Sequence, residues 1–333
     1  MERLAVFGWD DELSSLLAAL ERHASLSAVA VGDEGAAQLL QARNVTGLPG
    51  YRHLLPMART TEYDAALIST PHLAAEVAET AAEAGADLIV RGDRIDGEAL
   101  SAAATASVRW GVALTVIRPL MPRQGSLYLS DLIASDAEWQ PTMLQLDYQG
   151  DRSSMALLRD ALSAVTSIWP HQPMQVVASS ASVGNDEPNA IAIHLRFADQ
   201  ALATVTVRSA AASSMRCTLS APAGTAALVA NGDETEMTVQ PADGPQRVER
   251  LRSGASTTDV ARLVTETRGG GIAEGLLIQH ESAVLIACEQ ALTSGRSQFV
   301  NVPSTRSSLR VLQGGGQASS APRRPTHLAL VTV

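Results

Sequence analysis

Apolar and polar positions over the first 118 residues follow two alternating rhythms. Short, nearly unbroken apolar runs, RLAVFG (3–8), LSAVAVG (26–32), YDAALIST (63–70), ADLIV (86–90) and ALTVI (113–117), have strand length. Between them lie stretches of helical spacing. Leu13, Leu16, Leu17 and Leu20 share one stripe, and EGAAQLLQAR, HLAAEVAETAAEAG and GEALSAAATASVRWG continue the series. Apolar strands alternating with amphipathic helices predict a parallel sheet covered on both faces, a doubly wound, Rossmann-like α/β domain over residues 1–118.

Beyond Arg118 strands follow strands: 142–148, 174–181, 190–197, 201–209, 216–222, 225–230, 236–240 and 247–251. Period-two alternation in several of them predicts a large, mostly antiparallel sheet with one face on helices and the other open. Helical patterns at 154–169, 256–267 and 275–295 complete an α+β domain over residues 119–312. Within 190–197, Ile191, Ile193, Leu195 and Phe197 point one way while His194 and Arg196 point the other, with Thr204, Thr206 and Arg208 as neighbours. A solvated face and a ligand or subunit surface both account for that alternation. Residues 313–333 read as a Gly/Ser/Pro-rich linker followed by a tail, THLALVTV.

Composition narrows the chemistry. The 333 residues are 46% hydrophobic and 18% charged, within the range of globular proteins, and the length suits two domains. All 25 basic residues are Arg, so chemistry that needs a lysine amine is excluded. A net charge of −10 with scattered arginines argues against a nucleic-acid partner. Cys217 and Cys288 offer at most one disulfide and no metal framework. No apolar segment reaches the ~20 residues that span a bilayer, and the first residues lack a basic, then apolar, export signal. The expectation is a soluble, cytoplasmic protein with no membrane partner and no metal. His23, His53, His280 and His327 show no metal-ligand spacing.

The phrases RLAVFG, AVAVGD (28–33), YDAALISTPHLAAEVAETAAEAGADLIV (63–90), FADQALATVTV and APAGTAAL, in this order, resemble the glucose–fructose oxidoreductase/inositol dehydrogenase/MocA family. The likeness spans roughly residues 1–310. It implies a nucleotide-binding domain followed by a domain with a large antiparallel sheet, and in active members hydride transfer between a nicotinamide and a sugar-like hydroxyl carbon. It also implies self-association through the open face of that sheet, giving a homodimer.

The departures fall where that chemistry resides. A dinucleotide fingerprint places Gly at three positions of the first turn. Here Gly8-Trp9-Asp10-Asp11-Glu12-Leu13 keeps the first alone. Asp10, Asp11 and Glu12 stand at the helix start that pyrophosphate would use, where they suit a cap. A phosphate within ~5 Å of one such carboxylate meets about 3 kcal/mol of repulsion at an effective dielectric of ~20, which outweighs the remaining dipole attraction. Asp33, 25 residues after Gly8, stands where such domains hold a ribose hydroxyl, or else begins the turn GDEG. The family's Glu-Lys-Pro positions fall on Arg91, Gly92 and Asp93, so the amine is gone, and Arg91 keeps a positive charge but does not deprotonate and cannot serve as the acid/base. Arg91 reads locally as a salt bridge to Asp93 or Asp96. The family's catalytic His falls on Ser163 or Ala164, in a helix without His. His171 lies in the turn WPHQP, and His72, after Thr70-Pro71, lies at the strand end where open α/β sheets bind ligands.

These residues predict an oxidoreductase-like protein, catalytically impaired and serving as a binding, assembly or regulatory subunit for a small-molecule or protein ligand, with no catalytic residues and no cofactor. The alternative is an active NAD- or NADP-dependent enzyme with relocated groups such as Tyr63, His72 or His171. Candidate cofactor-contacting residues are Gly8, Trp9, Asp10, Asp33, Thr70, Pro71, His72 and Arg91. Trp9 is expected to lie over or inside the dinucleotide groove.

Overall fold

The computed structural model describes residues 1–92, 94–117, 123–135, 137–169, 171–182, 188–231, 234–252, 273–301 and, between the last two, residues 260, 261, 264, 265 and 268. The predicted linker and tail lie outside the described residues, as does most of the helix expected at 256–267.

The first sheet has six parallel strands in the order β3-β2-β1-β4-β5-β6, with β1 (Glu2–Phe7), β2 (Leu26–Gly32), β3 (Gly50–Tyr51), β4 (Ala65–Ile68), β5 (Asp87–Arg91) and β6 (Leu114–Ile117). β4 and β6 are buried along their whole length, as the unbroken apolar runs require. Helices α1 (Leu13–Ala24) and α2 (Ala36–Thr46) supply one apolar layer, in which Leu13, Leu16 and Leu39 meet Leu4, Val6 and Leu67. α3 (Leu54–Thr60), α4 (Ala74–Glu83) and α5 (Gly97–Trp110) supply the other, where Ala78, Ala81, Ala103 and Ala104 bring helices and sheet close together. Small side chains here replace the aromatic bulk that the chain lacks.

In the second sheet nine described strands follow the order β14-β13-β12-β11-β7-β10-β9-β8-β15. They are β7 (Met143–Gly150), β8 (Pro173–Ala181), β9 (Ala190–Phe197), β10 (Leu202–Ser209), β11 (Ser214–Ala221), β12 (Gly224–Asn231), β13 (Glu234–Pro241), β14 (Arg247–Arg252) and β15 (Gln298–Phe299). β7 and β10 run parallel, and the other neighbours run antiparallel. The inner face packs on α6 (Arg123–Ser135), α7 (Ser154–Ile168) and α8 (Ala273–Ser294) through Leu146, Val205, Leu219, Leu158 and Val284. The outward positions are exposed or half-buried. α8 reaches back to the first domain, where Ile278 joins its core and Gly275 lies against Ala104, Ser107 and Val108.

Cys217 and Cys288 are both free and buried in the second core, so the one possible disulfide is not formed. Burial pushes both thiols up to about 12. No described helix is long and apolar enough to cross a membrane.

Candidate ligand crevice at the strand ends

β1 and β4 are neighbours whose following helices pack on opposite faces of the sheet, which makes their C-terminal ends the switch point where such folds open a crevice. Gly8 and Thr70 form its floor. Gly8 has φ +89°, and a Cβ there would lie 2.8 Å from the Ser69 carbonyl carbon, the Thr70 nitrogen and the Thr70 Cβ. The turn therefore accepts only glycine without a backbone shift.

The loop after β1 is held by carboxylates of this chain. Asp33 accepts the Trp9 N–H through Oδ2 at 2.7 Å and the Gly35 N–H through Oδ1 at 2.7 Å. It therefore performs the turn role that GDEG allowed. Asp10 Oδ1 accepts the amides of Glu12 and Leu13, each at 3.1 Å, and so caps α1 as the acidic run suggested. Of the amides that could face a pyrophosphate, those of Trp9, Glu12 and Leu13 are already engaged.

Arg91 completes the arrangement. Its side chain is only 6% exposed at the end of β5, and it reaches over β4 to the β1 loop. Nη1 donates to both oxygens of Asp10, at 3.0 and 2.7 Å, and Nη2 donates to Glu12 at 2.6 Å. Arg94 adds contacts of 3.3 Å to Asp10 and 3.7 Å to Glu12. Of the two local partners expected for Arg91, Asp96 instead caps α5 by accepting the Ala99 N–H, and Asp93 lies outside the described residues. The repulsion expected from the acidic run is offset, because Arg91 neutralises Asp10 and Glu12 in place. What the clasp removes is free donors rather than net charge.

A second bridge crosses in the opposite direction. His72 Nε2 lies 2.9 Å from Glu34 Oε2, joining the β4 loop to the β2 loop over the end of β1. Thr70 Oγ1 accepts the His72 N–H at 3.2 Å, Pro71 is exposed, and Leu73 adopts a left-handed backbone with φ +53° at the start of α4. That conformation costs a non-glycine residue roughly 1–2 kcal/mol, so packing must hold this loop in place. Trp9 is buried in the layer formed with α1 and α2, its indole N–H without a partner, and the Ser69 hydroxyl is likewise buried and unpartnered.

The remaining candidates do not converge here. Tyr63 precedes β4, at the opposite end of the sheet from the crevice, and donates its hydroxyl to the Ala58 carbonyl at 2.9 Å. Burial pushes it up to about 12, which removes it from the relocated groups. Ser163 and Ala164 are buried in α7. His171 is exposed, 3.9 Å from Asp199 and tilted against Trp169. The sequence did not single out Glu12, Arg94 or Glu34 as partners. Nor did it single out Glu281, a buried carboxylate that accepts the Thr166 hydroxyl at 2.7 Å. Among the described residues no group of three or more His, Cys, Asp or Glu side chains is placed to hold a metal.

No family model matches the sequence, and no curated protein does. Solved structures match its fold over nearly the whole of their own chains. An oxidoreductase from Agrobacterium radiobacter, in complex with NAD+, L-tartaric acid and magnesium, superposes with a TM-score of 0.73 at 13% identity, covering 90% of this chain and 98% of the other. Levoglucosan dehydrogenase in complex with NADH gives 0.71 at 14% identity, covering 90% and 99%. A putative myo-inositol dehydrogenase from Sinorhizobium meliloti 1021 gives 0.67 at 15% identity, covering 90% and 100%. With its six-stranded parallel sheet followed by a nine-stranded, mostly antiparallel one, the chain carries the fold of inositol and levoglucosan dehydrogenases.

Proposed function

We propose that this oxidoreductase-like scaffold serves as a binding or regulatory subunit rather than as a nicotinamide enzyme of the usual kind. The observation that carries the reading is the buried Arg91, committed to Asp10 and Glu12 across the crevice. A dinucleotide seated there needs amide donors for its pyrophosphate and a free carboxylate for its ribose. The Trp9, Glu12 and Leu13 amides are taken by Asp33 and Asp10, and each Asp33 oxygen already accepts one amide of the chain itself. These residues do not fit the group in the family's manner. The proton-handling positions agree with this reading, since Gly92 falls at the lysine and Ser163 or Ala164 at the histidine. Neighbours whose structures hold NAD+ or NADH support the scaffold but not its activity here.

Isothermal titration of the full chain with NAD and with NADP tests the proposal. No saturable binding in the micromolar range is expected. Micromolar binding of either, with reduction of the nicotinamide by a polyol, would return the chain to dehydrogenase chemistry.

A further inference from the structure

The outer face of the second sheet carries a site independent of the crevice. A groove of about 400 Å³ opens where β10, β7, β11 and β12 lie side by side. Strand register places Arg208, Gln149, Ser214 and Asn231 in one row across it, with Thr206, Asp147, Arg216 and Val229 in the next. Strand spacing of ~4.8 Å and a two-residue step of ~6.8 Å put the Arg208 and Arg216 Cα atoms about 12 Å apart. Their side chains can converge over Gln149.

Neither guanidinium has an ion pair or hydrogen bond with a described residue. For Arg216 this stands out, because Asp147 is its direct cross-strand neighbour and such opposite charges ordinarily pair. Asp147 instead accepts from Gln145 at 3.2 Å. The amides of Gln149 and Asn231 and the hydroxyl of Ser214 are also uncommitted among the described residues. Two free forks, amide donors and a hydroxyl around one concavity suit a group with several acceptor oxygens and more than one negative charge. Glu234, Glu236 and Arg250 line an adjoining groove that shares Val229 and Asn231 with this one.

We infer that this groove binds a small dianion, a phosphate monoester or a dicarboxylate, held between Arg208 and Arg216. Inorganic phosphate and malonate, titrated separately into the full chain and followed by calorimetry with sedimentation on the same samples, distinguish the two sources. Saturable binding of at least one at millimolar concentration or below is expected. R208Q and R216Q should each weaken it about tenfold, as loss of one charged hydrogen-bonding partner predicts. D147N should tighten it, whereas R196Q, on the same face but bonded to Gln200, should leave it unchanged. Absence of saturation with both anions would overturn the inference. So would equal weakening by R196Q, or a sedimentation change in R208Q and R216Q with anion affinity intact, which would assign the groove to a second copy of the chain.

Discussion

Gly8 and Arg91 define the crevice at the residue scale, and each makes a separate prediction. Gly8→Ala sets a Cβ against backbone atoms in a φ that alanine avoids, so it should cost at least about 2 kcal/mol in urea unfolding. Arg91→Met leaves the Asp10 carboxylate, 21% exposed, without its bidentate partner. The expected loss is about 2 kcal/mol, below the 3–5 of a fully buried pair, because Glu12 is solvated and Arg94 remains nearby. Equal stability of R91M and the parent chain, measured by denaturant midpoint, would contradict the clasp. The tight turn at Gly8 and the strand-end place of Asp33 were legible from local order. The partner of Arg91 was not, since Asp10 lies 81 positions away and only the strand order brings them together. A reading confined to neighbours offers Asp93 or Asp96.

Elements were legible wherever a periodic pattern ran long enough to bury a face. The five apolar runs of the first domain and the eight strands of the second recur within a residue or two of their expected bounds. β3 and β15, two residues each, carry no period, and α3 holds Pro56 in its first turn, which a helix tolerates but which reads as a break. α6 went unread between two stretches of clearer grammar. The parallel pairing of β7 with β10 depends on the crossover through α7, β8 and β9, which no local pattern encodes.

One pairing between elements also makes a pH prediction. Asp64, just before β4, accepts the Arg3 N–H at 2.8 Å and its guanidinium at 3.2 Å, fastening β1 to β4 at the end opposite the crevice. Hydrogen bonds from the Arg3 side chain, then from its backbone, hold the carboxyl below the usual range. A folded-state pKa below the unfolded value stabilises above the unfolded pKa, near 4, and that stabilisation fades as pH falls through the depressed value. The stability gap between the parent chain and D64N should therefore be full at neutral pH and shrink steadily below about pH 4. A gap that widens on acidification would contradict it.

For the whole molecule, the second sheet offers a broad outward face that separates into two zones. The groove with Arg208 and Arg216 occupies one end of its strands. Toward the other end, Met143 and Leu202 are paired in register and 40% and 46% exposed, with Val177 and Phe299 also exposed. His194 and Thr204 join between the zones through a 3.1 Å contact. We propose that two copies pair through the zone around Met143 and Leu202, where Arg196 lies beside Leu202, a two-fold arrangement that removes the apolar side chains from water. Sedimentation velocity at micromolar concentration should show a dimer, and L202E with M143E should dissociate it to a folded monomer. A single species near 35 kDa for the parent chain would refute the pairing.

In the proposed reading, the chain's own carboxylates and Arg91 take the place of a dinucleotide's pyrophosphate. A crystal structure grown in millimolar NAD tests it most directly. Arg91 should remain bonded to Asp10 and Glu12 at the present 2.6–3.0 Å, with Asp33 still holding the Trp9 and Gly35 amides and no dinucleotide over Gly8. A pyrophosphate seated on the start of α1, with Arg91 turned from Asp10 toward its oxygens, would contradict it.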